Sequence, residues 1–212
     1  FLLAEWIDRI NQNLIKSNKK LQNIFDSLVD VYYKADMEGK IIELSPSASK
    51  LVGWEIKDLI GTDILNVYFN PEDRKLLLEE IKKNGFVSNY EVILKDKEGN
   101  PVYVMVNSRL VKDEQDNPYI EGILHNITQI KQLQEKNQLL ADTIQASLNE
   151  IYIFDDKTFH FRFLNLGAKR NLGYSEKEFL KMSPLDIKCE ISKAEFEKMT
   201  DLLIKNPNET RV

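Results

Sequence analysis

The feature of this sequence that most constrains its fold is an internal repeat with a period of 120 residues. Residues 48–60 align without a gap on residues 168–180, and a glycine followed by an aromatic residue stands at the same place in both segments. A period of this length is too long for a solenoid, so the sequence predicts two copies of one domain. Because the chain ends at the counterpart of Val92, the second copy is expected to lack the equivalent of residues 93–127.

The composition excludes several classes of protein. The chain has 212 residues, 42% of them hydrophobic, which is enough for one large domain or for two of about a hundred residues each. Its formal net charge of −5 leaves no basic excess, so nucleic acid is not an expected partner. No run of about 18 apolar residues occurs, so no membrane span is expected within the chain. The single cysteine, Cys189, excludes an internal disulfide framework, favours a cytoplasmic location and is predicted to fill apolar space.

Two segments carry apolar residues at the heptad spacing that is typical of coiled coils. The predicted dimer seam consists of Ile7, Ile10, Leu14, Leu21 and Ile24 in the first segment and of Ile130, Leu133, Asn137, Leu140 and Ile144 in the second. An asparagine in such a seam costs stability but fixes the register and favours two strands. We therefore expect a homodimer; for the first segment, a single amphipathic helix packed on its own domain is the alternative.

Between the two seams the pattern predicts an α+β domain with one five-stranded antiparallel sheet and helices on one face. Two short apolar runs around Gly39 form a hairpin, and the signals over residues 47–84 are helical. Pro71 is expected to open the longest of these helices and Gly85 to end it. The last three strands are predicted at residues 86–95, 102–111 and 119–127. The fold is thus expected to be flanked by long helices of the coiled-coil type.

Several short motifs accompany this order of elements. They are Asp36-Met-Glu-Gly39, Val52-Gly53-Trp54, Asn70-Pro71-Glu72-Asp73-Arg74, Lys95-Asp96-Lys97-Glu98-Gly99 and Asn126-Ile127-Thr128. The pattern resembles the PAS domain family over about residues 21–128, and the second copy repeats only its front half. The resemblance implies a division into an N-terminal dimerisation helix (1–20), a PAS domain with a C-terminal PAC-like motif (21–128), a connecting signalling helix (129–147) and a partial second PAS domain (148–212).

The resemblance also implies a function. PAS domains of this kind occur in tandem in bacterial sensor proteins, upstream of histidine kinases or diguanylate cyclases, and signal through flanking coiled coils. We therefore expect a sensory and signal-relay module that is not itself an enzyme, with a downstream output domain as its partner. The alternative is an assembly module without a ligand that only dimerises an output enzyme. Because the sequence starts at Phe1, it is expected to be part of a longer protein, to which a membrane anchor could belong.

In family members a pocket between the sheet and the helices can hold a small ligand. Polar residues that could face this pocket are Tyr68, Tyr90, Asn107, Arg109 and His125. A strand residue can equally face outward, and Arg109 could pair with an acid on a neighbouring strand. In the family, flavin-binding members with photochemistry use a cysteine and haem-binding members use an axial histidine on the helix that faces the sheet. The resemblance therefore implies neither cofactor here, because the first copy has no cysteine and residues 70–84 contain no histidine. No metal site is expected from two histidines and one cysteine.

The residues Asn126, Ile127 and Thr128 stand where the family's signal exit is found. The family usually has an aspartate at the first of these positions. Asn126 can still accept a hydrogen bond but carries no charge, so a salt bridge from this residue is not expected. The shortened second copy would leave strand edges unpaired, and residues beyond about 150 are therefore expected to be swapped between chains, rearranged or poorly ordered.

Overall fold

The computed structural model describes residues 2–187 and 190–205, so Cys189 lies outside the described residues. The chain divides into two compact units, Phe1–Leu133 and Gln134–Val212. Among the residues that the structure describes, no helix combines the length and the apolar character needed to cross a membrane.

The first unit contains one antiparallel sheet of five strands. The strands are β1 (Val31–Asp36), β2 (Ile41–Leu44), β3 (Phe86–Lys95), β4 (Pro101–Lys112) and β5 (Pro118–Asn126). Their order across the sheet is β2-β1-β5-β4-β3, and every neighbouring pair is antiparallel. The predicted α+β class and five-stranded sheet are therefore confirmed.

The three hairpins of this sheet are closed by the same kind of turn. Asp36, Asp96 and Asp113 each accept hydrogen bonds on Oδ1 from the backbone amides two and four residues further on. An aspartate that bonds its own backbone in this way favours a tight turn. The bonds from Asn100 lower the pKa of Asp96, and those from Asn117 lower the pKa of Asp113.

Short helices cover one face of the sheet. They are α2 (Ser47–Val52), α3 (Ile56–Leu59), a 3-10 helix (Ile64–Val67) and the longer α4 (Pro71–Asn84). As predicted, α4 begins at Pro71, next to Asn70, whose side chain accepts a hydrogen bond from the amide of Glu72. It ends at Gly85, whose φ of 82° suits a residue without a Cβ.

The core of the first unit lies between these helices and the inner face of the sheet. The burial of side chains alternates along β4: Val104, Val106 and Ser108 are buried, and the residues between them are more exposed. Leu77 and Ile81 of α4 are fully buried against that face. The sheet therefore has one apolar face covered by helices and a second face that is open to solvent.

Two long helices flank the sheet in sequence, as predicted: α1 (Leu2–Asp26) and α5 (Thr128–Ala146). Their predicted seam residues with large apolar side chains are exposed: Ile7, Ile10, Leu14, Leu21, Ile24, Ile130, Leu133, Leu140 and Ile144. Asn137 is exposed as well. Pairing of these helices with a second chain stays a prediction.

The second unit repeats the front half of the first. Its elements are β6 (Tyr152–Phe154), β7 (Phe161–Leu164), α6 (Leu166–Leu172), α7 (Glu176–Phe179), α8 (Pro184–Ile187) and α9 (Lys193–Lys205). With the shift of 120 residues, β7, α7 and α8 have the same bounds as β2, α3 and the 3-10 helix. Swapping between chains or rearrangement of residues beyond about 150 stays a prediction, because the described part of this unit has only a two-stranded sheet. The two strands pair with each other within one chain. Packing explains this, because Tyr152, Phe161 and Phe179 stack into a small core.

Candidate ligand pocket and signal exit

A cavity of about 40 Å³ lies in the core of the first unit, between the sheet and the short helices. Aliphatic side chains and two tyrosines, Tyr33 and Tyr68, line it. The aliphatic lining residues are Val31, Ile41, Leu44, Ala48, Leu51, Val52, Leu59, Ile64, Val67, Leu94, Val106 and Leu124. A water molecule needs about 10–15 Å³, so the cavity has room for a few heavy atoms and is far smaller than a flavin or a haem.

The hydroxyl of Tyr33 is already engaged. It lies 2.8 Å from the hydroxyl of Ser108, and both side chains are buried. Either oxygen can donate this bond. A buried hydroxyl that has a partner avoids the cost of desolvation without compensation, so this pair is a satisfied part of the core.

Tyr68 is the one predicted pocket residue that lines the cavity. It follows the 3-10 helix, pairs with Leu94 of β3 in an isolated bridge and is 4% exposed. Burial raises the pKa of its hydroxyl well above the usual value, and the nearby guanidinium of Arg74 lowers it and so offsets part of that rise. The phenol therefore stays protonated over the whole physiological range.

Arg74 is the functional candidate that sequence analysis missed. Its side chain is 3% exposed, and none of its three guanidinium nitrogens has a hydrogen-bond partner among the described residues. It lies beside Tyr68, close enough for its positive charge to lower the pKa of that phenol. The signal for its burial was present in the sequence, because Arg74 shares the i, i+3, i+7 face of α4 with Leu77 and Ile81.

Tyr90 does not line the cavity. It is half-buried on β3 and packs against the edge of the core. Asn107 is placed elsewhere too, because it is exposed on the outer face of β4. Its Oδ1 accepts hydrogen bonds from the hydroxyl of Ser88 and from the amide of Asn89, whose φ is 53°. Asn107 therefore stabilises an irregular stretch of β3. It does not face the pocket, although the sequence made it a pocket candidate.

Arg109 is also on the outer face and is not a pocket residue. It stands directly opposite Glu121 of β5, and its Nη2 lies 2.7 Å from a carboxylate oxygen of that residue. This is the ion pair with an acid on a neighbouring strand that the sequence offered as the alternative to a pocket position. The Nε of Arg109 donates a second bond to the same oxygen, and the hydroxyl of Tyr32 donates one to the other carboxylate oxygen. Arg109 is still largely exposed.

His125 completes the outer-face set. The register pairs it with Met105, and its Nδ1 lies 2.7 Å from Oδ1 of Asp30. His125 therefore does not line the cavity, and it takes the outward orientation that the sequence left open. Asn107, Arg109 and His125 therefore all have side chains on the outer face of the sheet, which is the face away from the helices.

The residues predicted to form the signal exit make a compact set of hydrogen bonds between β4 and the start of α5. Ile127 is buried, and its amide donates to the carbonyl of Tyr103 at 2.9 Å. The hydroxyl of Thr128 accepts a bond from the amide of Tyr103, and Oδ1 of Asn126 accepts one from the amide of Thr128. One turn further on, Nζ of Lys131 lies 2.6 Å from a carboxylate oxygen of Glu91 on β3. Lys131 thus supplies the charged contact that Asn126 cannot.

The sequence pattern of the PAS domain family matches residues 29–129. Residues 29–129 are a PAS domain. A PAS domain is a sensory signalling module, and the residues that line the cavity all lie within it. No curated protein matches the chain.

Solved PAS domains are similar to it at low identity. One from an HTR-like protein of Haloarcula marismortui has 20% identity and a TM-score of 0.47, and the match covers 57% of this chain and 99% of that one. A second, from a protein of Colwellia psychrerythraea, has 20% identity and a TM-score of 0.46 over 52% of this chain and 97% of that one. A third, from a two-component sensor histidine kinase, has 10% identity and a TM-score of 0.46 over 52% and 96%.

Proposed function

We propose that this chain is a sensory and signal-relay module of a bacterial sensor protein of the histidine kinase or diguanylate cyclase type. In this proposal the PAS domain couples a ligand or partner signal to a dimeric coiled coil. The observation that carries it is the position of β4, which contributes Val106 to the cavity and bonds the start of α5 through both backbone groups of Tyr103. A change in the cavity therefore has a short mechanical path to the helix.

The energetic requirement of such a relay is modest. A ligand shifts a conformational equilibrium only by its difference in affinity for the two states. The apolar seam residues of α5 are exposed, so two copies of the helix could pack against each other in two alternative arrangements. Asn137 adds a polar position to this seam, which makes the packed helix pair less stable than an all-aliphatic one. Two packings that differ by a few kcal/mol at most would be within reach of one ligand.

Dimerisation through α5 is tested by two neighbouring leucines. Leu140 is a predicted seam residue and Leu139 is not, yet both are exposed in the single chain. Leu140→Glu is expected to shift the mass in sedimentation equilibrium from dimer to monomer, because it places a charge in an apolar seam. Leu139→Glu is the matched control and is expected to leave the dimer intact. Equal behaviour of the two variants would contradict the seam.

Relay is tested separately by disulfide cross-linking. With Cys189→Ser as background, Ile130→Cys and Leu133→Cys report on the distance between two copies of α5. Val106→Ala enlarges the cavity and so imitates the change in the core that a bound ligand would cause. The proposal expects the ratio of the two cross-linking rates to change with Val106→Ala. An unchanged ratio in a protein that still dimerises would refute the relay and leave the dimer standing.

One observation favours a second candidate, an assembly module that only dimerises an output enzyme. The cavity of about 40 Å³ is small, so the core is close to solid. Native mass spectrometry of protein purified from its source discriminates between the two. A bound molecule of reproducible mass supports sensing, and a bare chain supports assembly.

The same proposal includes the wider organisation of the chain. Residues 148–212 are assigned as a partial second PAS domain, supported by matching elements and by Gly53 and Gly173, whose φ angles are 72° and 73°. A cytoplasmic location and a downstream output domain belong to it as well. No catalytic role is assigned to these residues.

A further inference from the structure

The C-terminal end of α5 is bound by one buried side chain of the second unit. Asn165 stands between β7 and α6 and is fully buried. Its Nδ2 lies 3.2 Å from the carbonyl oxygen of Ile144, 3.1 Å from that of Ser147 and 2.7 Å from that of Asn149. Ile144 belongs to the last turn of α5, where carbonyl groups have no partner within the helix. Asn165 therefore caps α5 from a point 21 residues further along the chain.

The first unit has a serine at the equivalent position, and the comparison separates two roles. Oγ of Ser45 accepts a hydrogen bond of 2.9 Å from the amide of Tyr32 in β1. Oδ1 of Asn165 accepts one of the same length from the amide of Ile151, just before β6. Both side chains therefore support the first strand of their hairpin. Asn165 adds an amide group that reaches the preceding helix, whereas the hydroxyl of Ser45 lies 2.7 Å from that of Ser47.

A glycine at the start of α6 also contacts the end of α5. A Cβ at Gly167 would lie 2.9 Å from each of the carbonyl oxygens of residues 147–149, which connect α5 to β6. In the first unit the equivalent residue is Ser47, whose hydroxyl donates a hydrogen bond of 2.8 Å to the carbonyl of Asp30. The second unit therefore has a close backbone approach where the first has a side-chain hydrogen bond.

We propose that Asn165 is a positioning residue that makes the second unit respond to a displacement of α5. Its Oδ1 bonds the amides of Ile151 and Ala168, and its Nδ2 bonds the helix end, so one buried side chain joins three elements. A buried amide that loses its partners is costly, so the helix end and the hairpin are expected to move together. The role in signalling rests on the sensory function proposed above, whereas the coupling itself does not.

A pair of substitutions in the whole chain tests this coupling. Ala141→Gly weakens α5 about one turn before its end, because glycine is a poor helix former and Ala141 is exposed. Amide hydrogen exchange in β6 and β7, followed by NMR, is expected to become at least threefold faster. Asn165→Ser copies the first unit, since it keeps an acceptor and removes the donors to α5. In this background Ala141→Gly should leave exchange in β6 and β7 unchanged, while α5 itself still exchanges faster.

Asn171→Ser is the matched control. Asn171 is exposed, and its Nδ2 lies 2.7 Å from a carboxylate oxygen of Glu150. In this background Ala141→Gly should still accelerate exchange in β6 and β7. The proposal is overturned if the acceleration persists in Asn165→Ser, is absent from the otherwise wild-type chain, or is lost equally in Asn171→Ser.

A measurement on the wild type covers the case in which Asn165→Ser does not fold. The two Nδ2 protons of Asn165 should exchange slowly with solvent and show nuclear Overhauser contacts to the α protons of Ile144 and Ser147. Fast exchange without these contacts would refute the joint. The result is distinct from that of the relay, because cross-linking at residues 130 and 133 reports on the other end of α5. A cross-linking ratio that responds to Val106→Ala, without coupling through Asn165, would refute this inference alone; the reverse would refute the relay alone.

Discussion

The hydroxyl of Thr128 lies 3.0 Å from the backbone nitrogen of Tyr103 and accepts its hydrogen bond. Pairing between β4 and β5 ends at Val104 and Asn126, so Tyr103 is the first residue of β4 beyond that ladder. Its amide and carbonyl are taken up by Thr128 and Ile127 in place of strand residues. The residues at the start of α5 therefore take the place of a strand partner for Tyr103 and connect the helix directly to β4.

Replacing Thr128 with valine should loosen this joint. Valine keeps the shape of the side chain but removes the acceptor, which leaves the half-buried amide of Tyr103 unpaired at a cost of about 1–3 kcal/mol. We expect a loss of that size in the free energy of unfolding from urea denaturation, and faster amide exchange at Tyr103 and in the first turn of α5. Thr128→Ser keeps the hydroxyl and should stay close to the wild type. Equal losses in the two variants would show that the methyl group, and not the bond, matters.

Gly122 on β5 is required for a steric reason. A Cβ at this position would lie 2.1 Å from Oγ of Ser108 and 2.4 Å from the carbonyl oxygen of Asn107. Gly122→Ala should therefore destabilise the domain by about 3 kcal/mol and disturb the bond between Tyr33 and Ser108. Thermal unfolding of the single variant and of Gly122→Ala with Ser108→Ala measures this. The double variant should recover only part of the loss, because the backbone carbonyl stays in place; full recovery would contradict the backbone clash.

Stability should fall at alkaline pH because of Tyr68. Burial raises the pKa of its hydroxyl in the folded state above the ordinary value of 10.0, so the unfolded chain loses the proton first. The stabilising effect is complete below about pH 10 and is lost as pH rises toward the folded-state pKa, with a slope of up to about 1.4 kcal/mol per pH unit. Tyr68→Phe should therefore flatten the dependence of unfolding free energy on pH above 10. Parallel curves for the two proteins would exclude a role for this phenol.

Asn165 should be indispensable for the second unit. It is fully buried; its Oδ1 accepts bonds from the amides of Ile151 and Ala168, and its Nδ2 lies 2.7 Å from the carbonyl oxygen of Asn149. Asn165→Asp keeps the acceptors but turns a charge toward carbonyl oxygens, so a loss of about 3 kcal/mol is expected at neutral pH.

Acidic pH provides the control for this variant. Once the introduced carboxylate is protonated, its hydroxyl can donate a bond again, so the difference between Asn165→Asp and the wild type should shrink as pH falls. Circular dichroism of thermal unfolding measures this at pH 7 and at pH 4.5. A difference that does not depend on pH would point to a change in packing instead.

Local chemistry made much of the fold predictable. The hairpin turns follow from an aspartate that bonds the backbone two and four residues on, and Pro71 and Gly85 set the ends of α4. The period of 120 residues anticipated the bounds of β7, α7 and α8, because the same residue types start and stop the same elements in both copies. Seam residues at heptad spacing gave two long helices with exposed apolar positions.

The direction of side chains along β4 was not predictable. Residues 102–106 are apolar at every position, so alternation carries no signal for which face is buried. Only the register with β5 shows that Asn107 and Arg109 share the outer face with Tyr103 and Met105. The pocket candidates on that face, with His125 on β5, were misplaced for this reason.

The sequence by itself determined the order of the elements, their ends and the repeat, because these depend on backbone preferences and on spacing along the chain. Only the tertiary structure decided which polar groups meet. The closeness of Arg74 to Tyr68, the volume of the cavity and the ion pair between Lys131 and Glu91 arise between residues that are brought together by packing and strand register. Register is set by the whole sheet at once, and a shift of one residue would exchange its two faces.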